Sequence, residues 1–227
     1  MSKHVLLALT SHGELGDTGK KTGYFVSEAA HPAAAFAKFG YDLDFVSPKG
    51  GRPPADGVDE AAKDPVAQAF LDDPVLSAKV ADTYTPDRLD AADFDAVLFV
   101  GGHGAMWDFP GDEALLSLAA EIYERGGVVG AVCHGPAALV NLRLRDGSYL
   151  VSGKKATGFT NEEEEAVGLT GTVPFLLETE LRARGADYAG AEKWAPHAVA
   201  DGRLVTGQNP ASATRVGELM VTALGGH

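Results

Sequence analysis

Short apolar runs rich in β-branched residues recur along this chain, separated by stretches in which apolar residues follow a helical spacing. The predicted strands cover residues 4–9, 41–46, 96–100, 128–132, 156–159 and 203–206. The predicted helices cover residues 24–39, 115–125, 173–184 and 211–223, with another beginning at residue 135. Near-continuous apolar strands that alternate with helices are typical of a parallel sheet covered on both faces. The pattern therefore predicts a doubly wound α/β fold.

The chain length and the absence of repeats in the sequence favour a single folding unit. The 227 residues suit one domain with a large buried core. No internal repeat or long linker divides the sequence, so we predict one α/β domain over residues 1–227. Residues 52–93 are rich in Pro, Asp and Ala, and we expect them to hold short helices inserted outside the main sheet.

The charge balance and the single cysteine exclude several functional classes. Lys and Arg number 19 against 32 Asp and Glu, and the net charge of −13 would repel the phosphates of nucleic acids and anionic membranes. The one cysteine, Cys133, cannot form an internal disulfide or a zinc site built from several thiolates. No apolar run is long enough for a membrane span, and we interpret residues 4–9 as a strand rather than a signal sequence. An unpaired thiol suits a reducing compartment, so the predicted location is cytoplasmic.

Unusual glycine- and histidine-containing strings follow three of the predicted strands. SHG at residues 11–13 follows the first strand, GGHG at 101–104 follows the strand at 96–100, and CHGP at 133–136 follows the strand at 128–132. In open α/β sheets, ligands bind at the carboxyl ends of the strands, near the point where the strand order reverses. We therefore expect these strings to border a functional site.

Cys133 stands between a predicted buried strand and a predicted helix, a position typical of a nucleophile elbow. The positive end of that helix would lower the pKa of the thiol and favour the thiolate. The backbone N–H of His134 would point to the site where an oxyanion forms, and Gly101 and Gly102 on the adjacent loop would supply a second donor. The alternative is that Cys133 is an inert buried residue, as most free cysteines are. The elbow and the adjacent histidine favour the nucleophile.

Longer strings around these residues are similar to a known family. AVCHGPAAL and GGHGAMWDFP resemble the ThiJ/PfpI superfamily, whose sheet is related to that of class I glutamine amidotransferases. TGYFVSEAAHPAAAF, YDLDFVSPKGG, TGFTNEEE and DGRLVTGQNPASA resemble its heat-shock-protein-31-like branch, in order from residue 4 to about 223. That branch includes glutathione-independent glyoxalases (glyoxalase III), deglycases and holdase chaperones. The resemblance implies a flavodoxin-like, doubly wound, mostly parallel sheet with helices on both faces and a nucleophile elbow.

The resemblance also implies roles for four residues. Cys133 would be the nucleophile, His134 its neighbouring catalytic histidine and Glu28 a buried glutamate that hydrogen-bonds the sulfur. Counting along TGFTNEEE places the histidine-orienting acid at Glu164, within a glutamate run at 162–165 that would otherwise be a solvated face or an acidic helix start. Glu28 either projects outward or lies near the buried stripe of its predicted helix, where burial would raise its pKa and keep it protonated. The spacing of its apolar neighbours favours the buried position.

Other residues near the predicted site carry weaker signals. His103 in the GGHG loop would face the pocket, although such a loop is equally a tight turn in which the histidine is incidental. Trp107, with Met106 and Phe109, would form an apolar wall or cover a sheet edge. No histidine spacing indicates a metal, and the sequence has no phosphate-binding loop or nucleotide fingerprint, so we predict neither metal nor cofactor.

The resemblance and the residue chemistry together predict a glyoxalase III acting on methylglyoxal or glyoxal in carbonyl-stress defence, with lactate or glycolate as product. A hemithioacetal at Cys133, a base (Glu28 or His134) and N–H donors for the oxyanion would serve this reaction. Two alternatives stay open: a holdase chaperone for unfolded protein clients, and a cysteine-dependent deglycase or peptidase. The expected partner is a small dicarbonyl substrate, and neither nucleic acid nor membrane is expected. Relatives are commonly dimers, which implies a homodimer.

Overall fold

The structure is a computed structural model, and it describes residues 2–226. The strands are β1 (His4–Ala8), β2 (Tyr24–Phe25), β3 (Asp42–Val46), β4 (Ala55–Asp56), β5 (Ala96–Phe99), β6 (Val128–Val132), β7 (Lys155–Ala156), β8 (Asp187–Tyr188), β9 (Ala198–Asp201) and β10 (Leu204–Gly207). The α-helices are α1 (Val26–Ala37), α2 (Val58–Ala61), α3 (Pro65–Asp72), α4 (Pro74–Ala81), α5 (Ala105–Asp108), α6 (Glu113–Glu124), α7 (Asn161–Ala166), α8 (Leu177–Ala183) and α9 (Ala213–Ala223). Short 3-10 helices cover Pro86–Arg88, Ala91–Asp93, Phe109–Gly111, Gly135–Val140 and Pro210–Ser212.

The central sheet has six strands in the order β3-β1-β5-β6-β10-β9. The first five run parallel, and β9 pairs antiparallel with β10 at one edge. This is the flavodoxin-like order with an added edge strand, so the predicted doubly wound, mostly parallel sheet is confirmed. Strand order reverses between β1 and β5. The carboxyl ends of β1, β5 and β6 therefore border the crevice in which such sheets bind ligands.

Helices cover the sheet closely enough to bury β5 and β6 at every position. α1 packs against α9, and α6 lies against β5 and β6. Gly130 in the middle of β6 allows α9 to approach, because a Cβ at this position would collide with the Met220 sulfur. This packing holds in place the strand that ends at Cys133. No helix within residues 2–226 combines the length and the apolar character that crossing a membrane requires.

The structure departs from the predicted elements at the start of the helix expected over 24–39. Tyr24 and Phe25 form β2 instead of a first helical turn, because the Tyr24 N–H donates to the Pro54 carbonyl and the Phe25 N–H donates to the Gly101 carbonyl. The bond to Gly101 ties the start of α1 to the loop that follows β5. α1 therefore carries Glu28 in its first turn, next to that loop.

Elements in the last third of the chain differ more from their predictions. Of the strand predicted at 156–159, only Ala156 lies in a strand, β7 (Lys155–Ala156). The helix predicted at 173–184 is shorter, because α8 spans only Leu177–Ala183. β9 was not predicted, because it is partly exposed along its length and lacks a buried apolar run. Residues 52–93 hold the short helices α2, α3 and α4 and two 3-10 helices, all outside the central sheet.

Candidate active site

Cys133 lies at a sharp turn where β6 passes into a 3-10 helix. Its φ is 58°, in the left-handed region that non-glycine residues rarely adopt. The Cys133 N–H donates to the Gly207 carbonyl at 2.9 Å, and the Cys133 carbonyl accepts from the Phe159 N–H at 2.9 Å. Gly135 is required after the turn, because a Cβ there would collide with the Phe99 carbonyl. This strained strand–turn–helix is the geometry of a nucleophile elbow.

The thiol of Cys133 begins a chain of contacts that runs through His134 to Glu164. His134 Nδ1 lies 3.3 Å from Cys133 Sγ, and His134 Nε2 lies 2.8 Å from Glu164 Oε2. All three residues are buried. A cysteine, a histidine and a glutamate in this order have the arrangement of a nucleophile, its base and the acid that orients the base.

The pKa values of Glu164 and His134 decide which ring nitrogen carries the proton. Burial alone would raise the pKa of Glu164, but hydrogen bonds from His103 and His134 lower it to about 2, so Glu164 is an anion. Burial and the charge of His103 lower the pKa of His134 to about 4, so the ring is neutral at physiological pH. A neutral ring that donates its Nε2–H to a carboxylate presents the lone pair of Nδ1 to the thiol. His134 is therefore placed to accept the proton of Cys133.

His103 binds the same carboxylate as His134. Its Nε2 lies 2.9 Å from Glu164 Oε1, and its ring centroid lies 3.9 Å from that of His134. Each carboxylate oxygen thus accepts one imidazole N–H. His103 also lines the cavity beside the cysteine, so the GGHG loop contributes a side chain to the site and is not merely a turn.

Glu28 lies beside the cysteine and is completely buried. Burial raises the pKa of its carboxyl to about 8, although contacts with the Cys133 thiol and the Gly101 N–H act in the opposite direction. Within residues 2–226, however, neither carboxyl oxygen has a partner that meets the distance and angle limits of a hydrogen bond. A buried carboxylate without such partners is unfavourable, so the carboxyl is protonated at neutral pH. Glu28 therefore holds a proton close to the sulfur.

The thiol of Cys133 is protonated at rest, and the lowered pKa expected from a following helix is wrong. Burial raises the pKa of the thiol, while the Gly102 N–H acts in the opposite direction. The following helix is a single 3-10 helix of six residues, so its N-terminus offsets little of the effect of burial. The sulfur must therefore lose its proton to a neighbouring base when it attacks.

The two glycines predicted as oxyanion donors have different surroundings. The Gly102 N–H lowers the pKa of the Cys133 thiol, whereas the Gly101 N–H lowers the pKa of the Glu28 carboxyl. Gly102 has a φ of 103°, and a Cβ there would collide with the Gly23 carbonyl, so only glycine fits. Of the two, Gly102 is the donor that the loop presents to the reacting group.

A cavity of about 410 Å³ opens beside the cysteine. Trp107 does not line it, contrary to the prediction, because the Trp107 ring stacks on His12 with centroids 5.1 Å apart. Phe159 and Trp194 supply aromatic walls instead. Neither residue was predicted to line the cavity. The TGFTNEEE string, which contains Phe159, could have indicated that residue, whereas Trp194 lies in an irregular segment without periodicity that gave no such indication.

The glutamate run at 162–165 divides into residues with different surroundings. Glu162 and Glu165 are exposed, as expected of a solvated face. Glu163 is buried and forms a capping box with Thr160 at the start of α7. Glu164 is buried one residue further on and faces the histidines. The cap on α7 therefore sets the position of Glu164.

Glu163 also anchors a wall of the cavity. Its Oε1 accepts from the Trp194 backbone N–H at 2.9 Å. The same oxygen accepts from the side-chain amides of Gln208 and Asn209 at 3.0 and 2.8 Å. One buried side chain thus joins the helix that carries Glu164 to the segment that carries Trp194. This role of Glu163 was not predicted from the sequence.

His103, His134 and Glu164 form a group within the described residues whose donor atoms lie close enough to hold a metal ion, all within 4.8 Å of one another. Two imidazoles and a carboxylate suit a transition metal. Both histidine Nε2 atoms already bond Glu164, however, so an ion would have to replace these hydrogen bonds. The absence of a metal and of a cofactor stays a prediction.

Comparison with known proteins identifies similar sequences over nearly the whole chain. The DJ-1/PfpI family matches residues 22–223. Glutathione-independent glyoxalase HSP31 of Saccharomyces cerevisiae is 38% identical over 239 residues, covering 98% of this chain and 98% of the yeast protein. Glyoxalase 3 of Candida albicans is 37% identical, covering 96% of this chain and 97% of that protein.

Solved structures agree with these similarities. The crystal structure of glyoxalase III from Candida albicans has a TM-score of 0.85 and 34% identity, with 97% of each chain covered. The X-ray structure of Rapid Encystment Protein 24 kDa from Francisella tularensis has a TM-score of 0.93 and 38% identity, covering 98% of this chain and 99% of that one. These findings confirm the resemblance inferred from the sequence strings. The chain belongs to the DJ-1/PfpI family.

Proposed function

We propose that this protein is a glutathione-independent glyoxalase that converts methylglyoxal into lactate and glyoxal into glycolate. The contact chain from Cys133 through His134 to Glu164, at a strained elbow, carries the proposal. The protonated carboxyl of Glu28 adds an acid beside this nucleophile and base. Relatives at 37–38% identity bear the names glutathione-independent glyoxalase and glyoxalase 3.

The first step joins the substrate to the cysteine. His134 Nδ1 takes the thiol proton while Cys133 Sγ forms a bond to the aldehyde carbon, and the carbonyl electron pair moves to oxygen. The Gly102 N–H stabilises that oxygen as charge develops on it. His134 then returns the proton to the oxygen, which gives a neutral hemithioacetal and a neutral imidazole. Glu164 supports each transfer by holding the Nε2–H of the ring.

The second step moves a hydrogen between the two substrate carbons. His134 Nδ1 removes the C–H proton of the hemithioacetal, and Glu28 gives its proton to the former ketone oxygen, which produces an enediol. His134 then protonates the neighbouring carbon while the Glu28 carboxylate recovers a proton from the hemithioacetal hydroxyl. The product is a thioester of a 2-hydroxy acid. Both side chains return to their starting protonation states.

Water completes the reaction by cleaving the thioester. His134 accepts a proton from the attacking water and passes it to the departing Cys133 sulfur. The aldehyde carbon has been oxidised to a carboxylic acid and the ketone carbon reduced to an alcohol. Because both changes occur within the substrate, the reaction needs no external oxidant or reductant.

The purified protein tests this proposal when it is incubated with methylglyoxal in D2O without glutathione. Lactate that carries deuterium at C2 is expected, because His134 exchanges its captured proton with solvent before returning it. Lactate entirely without deuterium would contradict the enediol step, and a lack of lactate would contradict the glyoxalase function. A glycated peptide offered in parallel tests the deglycase alternative.

The chaperone alternative has less support from the surface of the protein. Among the exposed large hydrophobic residues within the described range, Val167 and Trp194 share the mouth of the cavity beside Cys133, whereas Phe39, Val58 and Val75 lie apart in other segments. Single exposed hydrophobic residues are common and do not form a client-binding patch.

We place the glyoxalase in the cytoplasm, because a reducing environment keeps its one thiol available for attack.

A further inference from the structure

The cavity changes from polar at its depth to apolar at its mouth. Cys133, His134 and Glu28 lie at the deep end, and none of these three residues is more than 4% exposed. Val167 and Trp194 lie at the outer end and are 42% and 47% exposed. A dicarbonyl group attacked by the sulfur would therefore leave its substituent pointing along an apolar wall.

The cavity is larger than the proposed small substrates require. Its volume of about 410 Å³ lies within the range of about 300–1,000 Å³ that is typical of pockets for drug-sized ligands. Glyoxal has no substituent and methylglyoxal has only a methyl group. Either would contact the deep end and leave the outer wall without a partner.

Trp194 is held at the mouth by an unusual backbone conformation. Its φ is 67°, and its N–H donates to the buried carboxylate of Glu163 at 2.9 Å. Strain of this kind persists where the surroundings impose it and is frequent at ligand clamps. A strained backbone that presents a half-exposed indole to the cavity indicates a wall built to contact a ligand.

The rings that line the cavity form a continuous path from the base to the mouth. The Phe159 ring lies 4.3 Å from the His134 ring and 5.9 Å from the Trp194 ring, measured between centroids. Phe159 and Trp194 are tilted by 54° relative to each other, so between them they present both a face and an edge. A flat ring on the substrate would make offset or edge contacts with them.

The charges along the cavity select against anionic substituents. Within the part of the chain that the structure describes, the lining includes the carboxyl group of Asp56 but no lysine or arginine. The net charge of −13 acts in the same direction. A phosphorylated or carboxylated oxoaldehyde would find no cation, whereas a neutral apolar substituent meets no such penalty.

We propose that the site prefers 2-oxoaldehydes whose ketone carbon carries a flat apolar group, such as an aryl ring, and that Trp194 sets this preference. The inference rests on the proposed glyoxalase function and extends it to a substrate class. The conversion of such a substrate balances in atoms and electrons as it does for methylglyoxal, because water is added, the aldehyde carbon is oxidised and the ketone carbon is reduced. Phenylglyoxal, the probe of choice, would yield mandelate.

The experiment compares kcat/KM for phenylglyoxal with kcat/KM for methylglyoxal in the same preparation. We expect the wild-type ratio to favour phenylglyoxal by about tenfold or more, as extra apolar contact in a pocket does. Trp194→Ala should lower that ratio by about tenfold, and Trp194→Phe should restore most of it. Val75→Ala removes an exposed side chain on α4 that is not part of the cavity lining, and should leave the ratio unchanged.

The outcomes separate this inference from the function on which it rests. If methylglyoxal is converted but the ratio is the same in wild type and Trp194→Ala, the substrate preference is wrong and the glyoxalase stands. If neither aldehyde is converted, the glyoxalase function fails as well. A ratio that falls in Trp194→Ala and recovers in Trp194→Phe supports the inference, because misfolding would reduce turnover of both aldehydes alike.

Discussion

Glu164 accepts the Nε2–H of His134 at 2.8 Å, and this bond leaves His134 Nδ1 as the acceptor that faces the Cys133 thiol. The second oxygen of the carboxylate accepts from His103. Glu164 itself does not line the cavity beside the sulfur. In the proposed mechanism Glu164 is a positioning residue, because it orients the ring that accepts the proton of Cys133.

Glu164→Gln tests this dependence. The amide can present an N–H to His134 and so favour the wrong tautomer, and we expect kcat for methylglyoxal to fall by about 10²–10⁴-fold with little change in KM. Steady-state kinetics measure both constants. Glu165→Gln, a neighbour that is exposed, is the matched control and should keep the wild-type kcat. Equal kcat values in the two variants would remove Glu164 from the mechanism.

The pH dependence of kcat/KM should have two limbs. His134 must be neutral to accept a proton, so activity should fall as the pH drops through about 4, the pKa to which burial and the charge of His103 lower it. Glu28 must be protonated to act as an acid, so activity should fall as the pH rises through about 8, the pKa to which burial raises it. In Glu28→Gln the alkaline limb should disappear. An alkaline limb that survives this change would show that another group is the acid.

His103→Gln should move the acid limb in a known direction. The charge of His103 lowers the pKa of His134, so removing the imidazole should raise that pKa and shift the limb to higher pH. The pH profile of kcat/KM measures the shift. His12→Gln, at a histidine that stacks on Trp107 outside the cavity, should leave the limb in place. A limb that stays fixed or moves to lower pH in His103→Gln would contradict the proposed coupling of the two rings.

Glu163→Gln should destabilise the fold. The new amide would place an N–H donor against the donors of Trp194 or Thr160, and we expect the free energy of unfolding to fall by about 1.5–3 kcal/mol. Urea unfolding at neutral pH measures this change. Glu162→Gln, in the same helix but exposed, should change it by no more than about 0.5 kcal/mol. Similar values for the two variants would mean that the buried hydrogen bonds of Glu163 contribute little.

Local sequence patterns predicted much of the fold and of the site. β5 and β6 are fully buried, so their sequences are continuous apolar runs, and such runs predict buried strands. The elbow at Cys133 follows from a strand that meets CHGP, because glycine and proline direct the chain there. Glu164 was predicted from a family string, and no local pattern separates it from the exposed Glu162 and Glu165 in the same helix.

The features that sequence did not predict depend on contacts between distant segments. Trp194 reaches the cavity because the buried Glu163 carboxylate holds its backbone, a contact across 31 residues. Trp107 was expected at the cavity and instead stacks on His12. The pKa of Cys133 was predicted to be lowered by a helix N-terminus, but burial raises it, and burial is a property of the whole packed site.

The central claim is that the sulfur of Cys133 forms a covalent bond to the substrate. Its most direct test is the rate of lactate formation from methylglyoxal, without glutathione, by Cys133→Ala and by wild type, with urea unfolding to verify that both are folded. We predict a fall in kcat of about 10⁴-fold or more, because no other group within residues 2–226 supplies a thiol. A folded Cys133→Ala protein that keeps a kcat within about tenfold of wild type would contradict the account.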